Sequence, residues 1–483
     1  MKKIKNVKDV SVSLVDVYWV AAAVPLVTLL VAFLLGGWSW GLMDDVGFAA
    51  MQGSIWTRFV DLFQGQLGSG RFFPTAGFHW AVFYKIFASS PGAFFVFRFF
   101  EVVCALGVWA FLAYRVTGRR SAAPLFFAIV LSFSEVYHAF FYLSPPEIIG
   151  ILFAGLAANA FFQTIRTAVA EKGAVKKTSV LLGMIFLVLA FGAKEPFIAM
   201  GLALGAGYMA FGRSIGKNSF FYGGIALAAF ALLWGVALKL FIMKGYSSDY
   251  GLTDIPKLLA NLAMWGRTDF LYHLPWLVLA GILIAMSPPK GKQDPVRTWG
   301  LWLGGALYVF YLLLLLPWSV WGHYAVPVGF FFGFFMTVLI AERLETLPWP
   351  AWSLVVTGSL IFCAVVGGMA LRFHSTYQRD TAQLVEWMAQ DALFEHEVEG
   401  GAVVRCNASE PCETVPAKAR ILYGKNYKPF VFTAVVRDIL SDPQTRYYLW
   451  GRTWGDQDLR RLGHDLWSPM FVSESWVMFR RMY

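Results

Sequence analysis

The sequence predicts a polytopic α-helical membrane protein that carries a smaller, mixed α/β domain at its C-terminal end. Three observations predict it. Of 483 residues, 58% are hydrophobic and 14% are charged, with a mean hydropathy of +0.58, whereas soluble chains carry about 25% charge. Apolar runs near the roughly 20 residues that cross a bilayer recur from one end of the first 372 residues to the other. Beyond residue 373 the runs stop and a charged, tryptophan-rich segment begins.

About eleven spans are expected on that length criterion, near 16–39, 92–114, 121–134, 147–165, 179–193, 196–212, 219–243, 271–287, 299–317, 325–341 and 350–371. The first is too long, and too poor in small residues at a cleavage point, to be a removable signal peptide, so it is expected to stay as an anchor. With the N-terminus and its Lys2, Lys3, Lys5 and Lys8 on the cytoplasmic side, alternate loops hold 17 basic residues in roughly 56 positions. The opposite loops hold 7 in roughly 96, the bias of the positive-inside rule. An odd number of spans then sends 373–483 to the outer side. The net charge of +10 follows largely from this topology and requires no nucleic acid.

Cys104 and Cys363 fall within spans and are expected to be small buried apolar residues. Cys406 and Cys412, six apart in the outer domain, form a short disulfide loop on this reading, because the outer compartment is oxidising.

The chemistry is expected on the outer face, where the polar features gather. The first outer loop, 40–91, opens with adjacent carboxylates, Asp44 and Asp45. It continues with Ile55, Phe59, Leu62 and Phe63 at helical spacing, which predicts amphipathic helices on the membrane surface. An aspartate there suits a helix cap; a pair facing other polar groups also suits a general base or a metal ligand. Glu147 opens the fourth span after Ser144, Pro145 and Pro146. Lys194, Glu195 and Pro196 stand between two short spans, and charges at such depth are expensive and commonly functional. Trp321, His323, Tyr324 and Pro327 open the tenth span. The loop 244–270 adds Lys244, Tyr246, Asp249, Tyr250, Asp254, Trp265, Arg267 and Asp269. Each of these also has an ordinary structural reading: a satisfied histidine, or a fold-holding ion pair. Arg98 and Glu101, at i and i+3 in the second span, read as an internal structural pair.

The outer domain is expected to begin with a helix from Asp380 to about Leu393 and to continue with short strands at 402–405, 419–423, 430–436, 446–450 and 476–479. Trp450, Trp454, Trp467 and Trp476 suit either a small core or a sugar-stacking surface. The sequence has no Gly-rich phosphate loop, no His-Glu-x-x-His motif and no internal repeat.

Taken together, the acidic pair opening a long first outer loop, the Lys194–Glu195 motif between central spans and the His323–Tyr324 start of a late span resemble the GT-C superfamily of polytopic glycosyltransferases. That superfamily includes the protein O-mannosyltransferases and the bacterial aminoarabinose transferase, and the likeness in layout runs along the whole chain. The resemblance implies a bacterial inner-membrane enzyme that moves a sugar from a polyprenyl-phosphate donor, such as an undecaprenyl-phosphate sugar, to an acceptor hydroxyl on the periplasmic face. It implies Asp44 as the base with Asp45 aiding it or helping to hold a divalent cation (Mg or Mn), and Lys194, Arg71, Arg267 and His323 as donor-phosphate candidates. Glu147, Glu195 and Tyr324 are the expected substrate-binding residues. His323 departs from the Arg that many relatives carry before the tyrosine. A phosphate leaving group with one catalytic carboxylate implies inversion. The acceptor is a lipid, a polysaccharide or a protein of the cell envelope. A lipid-linked glycan polymerase or ligase is the alternative. A transporter fits less well, because the long first loop has no counterpart in a second half.

Overall fold

A computed structural model describes residues 14–35, 38, 48, 51–87, 90–171, 175–242, 255–268, 270–286, 294–317, 322–345, 349–399, 402–406, 415–416, 419, 431–432, 445–451 and 467–481. Apolar helices occupy most of the first 390 residues, and a five-stranded sheet closes the chain.

The helices are α1 (Leu14–Leu35), α2 (Ile55–Gly68), α3 (Pro74–Ile86), α4 (Pro91–Thr117), α5 (Ala122–Val130), α6 (Ser134–Phe141), α7 (Glu147–Ala170) and α8 (Lys177–Phe191). They continue with α9 (Ile198–Ile215), α10 (Asn218–Ala237), α11 (Ile255–Thr268), α12 (Phe270–Met286), α13 (Pro295–Leu315), α14 (Val326–Leu344), α15 (Trp349–Gln390) and α16 (Ala392–Glu399). Among the described residues, 8 helices are long and apolar enough to cross a membrane, or up to 10 if each of two bent pairs counts as one span. Helix α8, where the fifth span was expected, is apolar but shorter.

The largest departure is at the expected third span. Instead of one straight helix, α5 and α6 meet at 84°. The turn survives in an apolar setting because its polar groups are met from within: the Tyr137 hydroxyl donates to the Leu131 carbonyl at 3.0 Å, and the Trp276 indole donates to the Ser132 hydroxyl at 2.8 Å. Non-helical backbone at membrane depth is tolerated only when it is satisfied in this way. The second bent pair, α11 and α12, turns through 65°. The first outer loop contains α2, helical as the periodicity from Ile55 to Phe63 predicts, and α3, which buries His79, Trp80 and Tyr84. Small residues set the closest packing of the spans. A Cβ on Gly205 in α9 would lie 2.6 Å from the Gly224 carbonyl oxygen of α10, so only glycine allows these two backbones to touch.

The two ends of the bundle carry different chemistry. At one end Arg119 pairs with Glu342 and Glu345 at 3.3 Å each, and Arg297 also pairs with Glu342. These surface pairs tie the end of α4 and the start of α13 to the end of α14. The opposite end holds the buried charges described below.

Helix α15 runs unbroken for 42 residues, so the expected domain boundary at 372/373 falls inside it. The expected helix at 380–393 is its last stretch, ended by Asp391, whose carboxylate caps the Phe394 amide at 2.8 Å and starts α16. The strands β1 (Val403–Cys406), β2 (Val431–Phe432), β3 (Thr445–Gly451), β4 (Trp467–Val472) and β5 (Trp476–Arg481) form one mixed sheet in the order β2-β1-β3-β5-β4. Strand β1 is parallel to both neighbours, whereas β5 is antiparallel to β3 and β4. Strand β4 was not anticipated, since Pro469 reads against a strand; it is tolerated because β4 is an edge. Leu384, Val385 and Met388 of α15 bury themselves against Tyr447, Leu449, Trp476 and Met478. Trp450 and Trp467 are buried in a smaller cluster with Tyr448 and Val477. The described tryptophans therefore form core; Trp454 lies outside the described residues.

Cys406 is disulfide-bonded; Cys412, its expected partner, lies outside the described residues. Cys363 is buried, but Cys104 is exposed on α4, a correction to the expectation that both are enclosed. It fell on the outward-facing side of a helix that is apolar nearly all round apart from Arg98, Glu101 and Arg115, which periodicity does not resolve.

One charged group locks α16 to the sheet. Glu397 accepts from the Tyr447 hydroxyl at 2.6 Å and from the Nε and one Nη of Arg480, with Arg446 nearby. Partial burial disfavours the carboxylate, but these hydrogen bonds and charges outweigh it and hold Glu397 below the usual carboxylate range. A depressed folded-state value means stability that is present above the unfolded value, roughly pH 4, and lost as pH falls through the folded one. Glu397→Gln is therefore expected to lower the thermal midpoint at pH 7. The gap from wild type should shrink on titration to pH 3, read by scanning calorimetry at each pH.

Candidate functional site

Three breaks in the helical bundle converge at the end that also bears the sheet domain. The first lies between α6 and α7. Pro145 and Pro146 stop the chain from continuing as helix, and Glu147 begins α7, where the helix dipole favours a carboxylate. Three of the four carbonyls freed by this break, from Tyr142 to Pro145, point at one cation. Arg98, fully buried on α4, donates to Tyr142 at 3.2 Å and to Leu143 and Pro145 at 2.8 Å each. The Trp80 indole takes the fourth carbonyl, Ser144, at 2.7 Å. Arg98 also pairs with Glu101 at 3.2 Å, and Glu101 in turn meets His79 of α3 at 2.6 Å. The pair read as internal in the sequence is thus the clamp that fixes the entry to Glu147.

The second break lies between α8 and α9. Lys194 is extended, and Pro196 sits within a single 3-10 turn, Glu195–Phe197, that leads into α9. Gly150 of α7 admits the Phe197 ring, which a Cβ there would strike. The Thr75 amide donates to the Gly192 carbonyl at 2.9 Å. That bond docks α3, and with it the Arg71–Phe73 segment, beside Lys194. The third break is the 3-10 turn Gly322–Ala325 before α14, which carries His323 and Tyr324.

The result is a compact, dehydrated group of charges. Lys194 is 2% exposed, Glu147 1% and Glu195 7%. The Lys194 ammonium donates to the Glu147 carboxylate and lies 3.9 Å from the centre of the Tyr324 ring, a cation–π contact. Arg71, over the Phe73 ring at 4.4 Å, acts electrostatically on both Lys194 and Glu195. Neither Glu195 oxygen has a hydrogen-bond partner of normal geometry among the described residues; its nearest polar company is Arg71 and the Phe72 amide. Tyr311 of α13, fully buried between the rings of Phe197 and Phe331, stands within electrostatic reach of Glu147, Glu195 and Tyr324.

Two cations balanced by two carboxylates can persist in a low-dielectric site only because they are paired. Lysine has three donors, of which the Glu147 carboxylate takes one among the described residues.

Of the residues expected to act, Arg71, Glu147, Lys194, Glu195 and Tyr324 are brought together here. Arg267 is exposed near the end of α11 and makes no described contact with the group. The side chain of His323 is outside the described residues, as are Asp44 and Asp45. Among the described residues no group of three or more His, Cys, Asp or Glu is placed to hold a metal ion.

Comparison with known proteins gives two kinds of result. No family model matches the chain, and no curated protein sequence matches it. Among solved structures, it is similar over 95% of its length, and 97% of the other chain, to ArnT from Cupriavidus metallidurans bound to undecaprenyl phosphate, at 13% identity and a TM-score of 0.47. The apo structure of that protein matches over the same shares at 12% identity and a TM-score of 0.47. A likeness of this degree assigns no activity.

Sequence reasoning missed Tyr311, because a tyrosine among Tyr308, Phe310 and Leu312 looks like any other lipid or core position. It also missed a second buried pair, Glu135 of α6 and His273 of α12, 3.8 Å apart and both enclosed, with His273 stacked on Phe133 at 4.5 Å. A signal for this one existed: Glu135 is a lone carboxylate in an apolar stretch, which at membrane depth warrants a partner.

Proposed function

We propose that the chain is a membrane glycosyltransferase that moves a sugar from a polyprenyl-phosphate donor to an acceptor hydroxyl. The reaction takes place at the end of the bundle bearing the sheet domain, which by the distribution of basic loops is the periplasmic face of a bacterial inner membrane. The observation that carries this reading is the placement of Lys194 and Arg71 as fixed cations in a water-poor group next to Glu195. A phosphodiester leaving as a phosphate monoester gains a negative charge, and preorganised cations in a low-dielectric site stabilise that change most.

In this reading the acceptor oxygen forms a bond to the anomeric carbon while the bond from that carbon to the phosphate oxygen breaks. The electron pair leaves with the polyprenyl phosphate, held by Lys194 and Arg71. The acceptor proton passes to Asp44, with Asp45 beside it, since a carboxylate is a competent general base for a hydroxyl. A single displacement inverts the anomeric configuration. Asp44 and Asp45 are also the residues that would hold a divalent cation if the reaction takes one.

The test uses membranes containing wild type, Asp44→Asn or Asp45→Asn protein, supplied with a panel of polyprenyl-phosphate sugars and cell-envelope acceptors. Wild type should consume one donor and release free polyprenyl phosphate by mass spectrometry, and Asp44→Asn should lower that rate by roughly 10²-fold or more. Absence of consumption with every donor would refute the reading and favour a glycan polymerase or ligase. Unchanged rates in both variants would remove the acidic pair from the reaction.

A further inference from the structure

Buried polar atoms are nearly always hydrogen-bonded. Three neighbouring ones here have no partner of normal geometry among the described residues: both oxygens of Glu195, which have only the Phe72 amide and its own close by, and the hydroxyl of Tyr311. Glu195 is 7% exposed and Tyr311 0%. They belong to different elements, the turn before α9 and the helix α13, yet they share one neighbourhood with Glu147 and Tyr324. A partnerless buried group costs stability, and two in the same place are accounted for together by a ligand that supplies hydrogen bonds to both.

The charges around them define the ligand's chemistry. The Tyr311 hydroxyl lies within electrostatic reach of two carboxylates, Glu147 and Glu195, so an anion beside it is disfavoured. The cations Lys194 and Arg71 act on Glu195, and Lys194 donates to Glu147. Carboxylate oxygens accept only, whereas a phenol both donates and accepts. The matching ligand is an uncharged group rich in hydroxyls.

Resting on the glycosyltransferase reading, we infer that Tyr311 and Glu195 form the sugar-recognising half of the donor site, with Tyr311 hydrogen-bonding one sugar hydroxyl and Glu195 accepting from its neighbours. The phosphate half is Lys194 with Arg71. Tyr311 thereby distinguishes the sugar-bearing lipid from the bare polyprenyl phosphate released as product.

Tyr311→Phe removes one oxygen and keeps the ring between Phe197 and Phe331. Affinities of the purified full-length protein would be measured for undecaprenyl phosphate and for a panel of undecaprenyl-phosphate pentoses and hexoses. Wild type should prefer at least one sugar-bearing lipid over the bare one. Tyr311→Phe should weaken that lipid by roughly 3- to 10-fold, the usual worth of one hydrogen bond, and leave bare undecaprenyl phosphate unchanged. The ligand-free thermal midpoint should stay level or rise, since an unpartnered buried hydroxyl is lost. Equal weakening of both lipids, no weakening of either, or a midpoint lower by several degrees would each overturn the role of Tyr311 while leaving the donor class intact. Failure of wild type to bind any sugar-bearing lipid better than the bare one would overturn the subsite and the glycosyltransferase reading together.

Discussion

Lys194→Met is expected to abolish donor consumption and to destabilise the protein in the same stroke, and the two effects are separable. Removing the ammonium takes from Glu147, 1% exposed, the cation it is paired with. Breaking a buried pair from one side costs about 3–5 kcal/mol. Replacing both partners with neutral groups of similar shape is often close to neutral. The double variant Lys194→Met with Glu147→Gln should therefore recover most of the lost thermal midpoint in detergent, while turnover stays at least roughly 10²-fold down for want of the phosphate-stabilising cation. A double variant that regains turnover along with stability would show that the pair only holds the fold. A single variant with a wild-type midpoint would mean that the charge of Glu147 does not depend on Lys194.

Arg98→Met should be the most damaging substitution outside that group. Its guanidinium serves three carbonyls of the 142–145 segment and the Glu101 carboxylate from a fully buried position. Each buried polar atom left unmet costs about 1–3 kcal/mol, so the sum approaches the whole stability of an ordinary domain. The expected result is loss of a monodisperse peak on size-exclusion chromatography in mild detergent. Arg98→Lys should not rescue it, because an ammonium is a point charge and does not span three carbonyls as a planar fork does. Normal chromatographic behaviour of Arg98→Met would mean that water enters the α6–α7 break and replaces the side chain.

Much of this was legible in the chain because lipid imposes a simple rule: long apolar runs become helices, and charges must find partners. The order of most spans and the helix at 55–68 follow from that rule, whereas the partner of Lys194 does not: the sequence offered its neighbour Glu195, and the fold pairs it with Glu147 instead. What it hides is shape within the apolar phase. The 84° turn between α5 and α6 is marked only by Ser132, Ser134 and Glu135, polar residues that an ordinary span also tolerates when they are partnered. The position of Tyr311 was illegible for a related reason: in a chain that is 17% aromatic, one ring among many carries no signal until the fold sets it beside two carboxylates. In the sheet domain, alternation located β1, β3 and β5, whereas Pro469 hid an edge strand.

The unbroken helix α15 has a mechanical meaning. Its 42 residues correspond to roughly 63 Å of rod at 1.5 Å per residue, about twice the hydrocarbon thickness of a bilayer. The protruding half is not a tether, because Tyr377, Leu384, Val385 and Met388 are themselves part of the sheet domain's core. The Asp380 carboxylate also accepts from the Ser475 amide at 2.8 Å. No joint separates span from domain. Any tilt that the last span adopts to suit a thicker or thinner membrane is passed undamped to the sheet, which swings as the far end of a lever. Tyr142, at the head of the segment that leads to Glu147, packs against that same core, so the tilt of the last span bears on the segment directly.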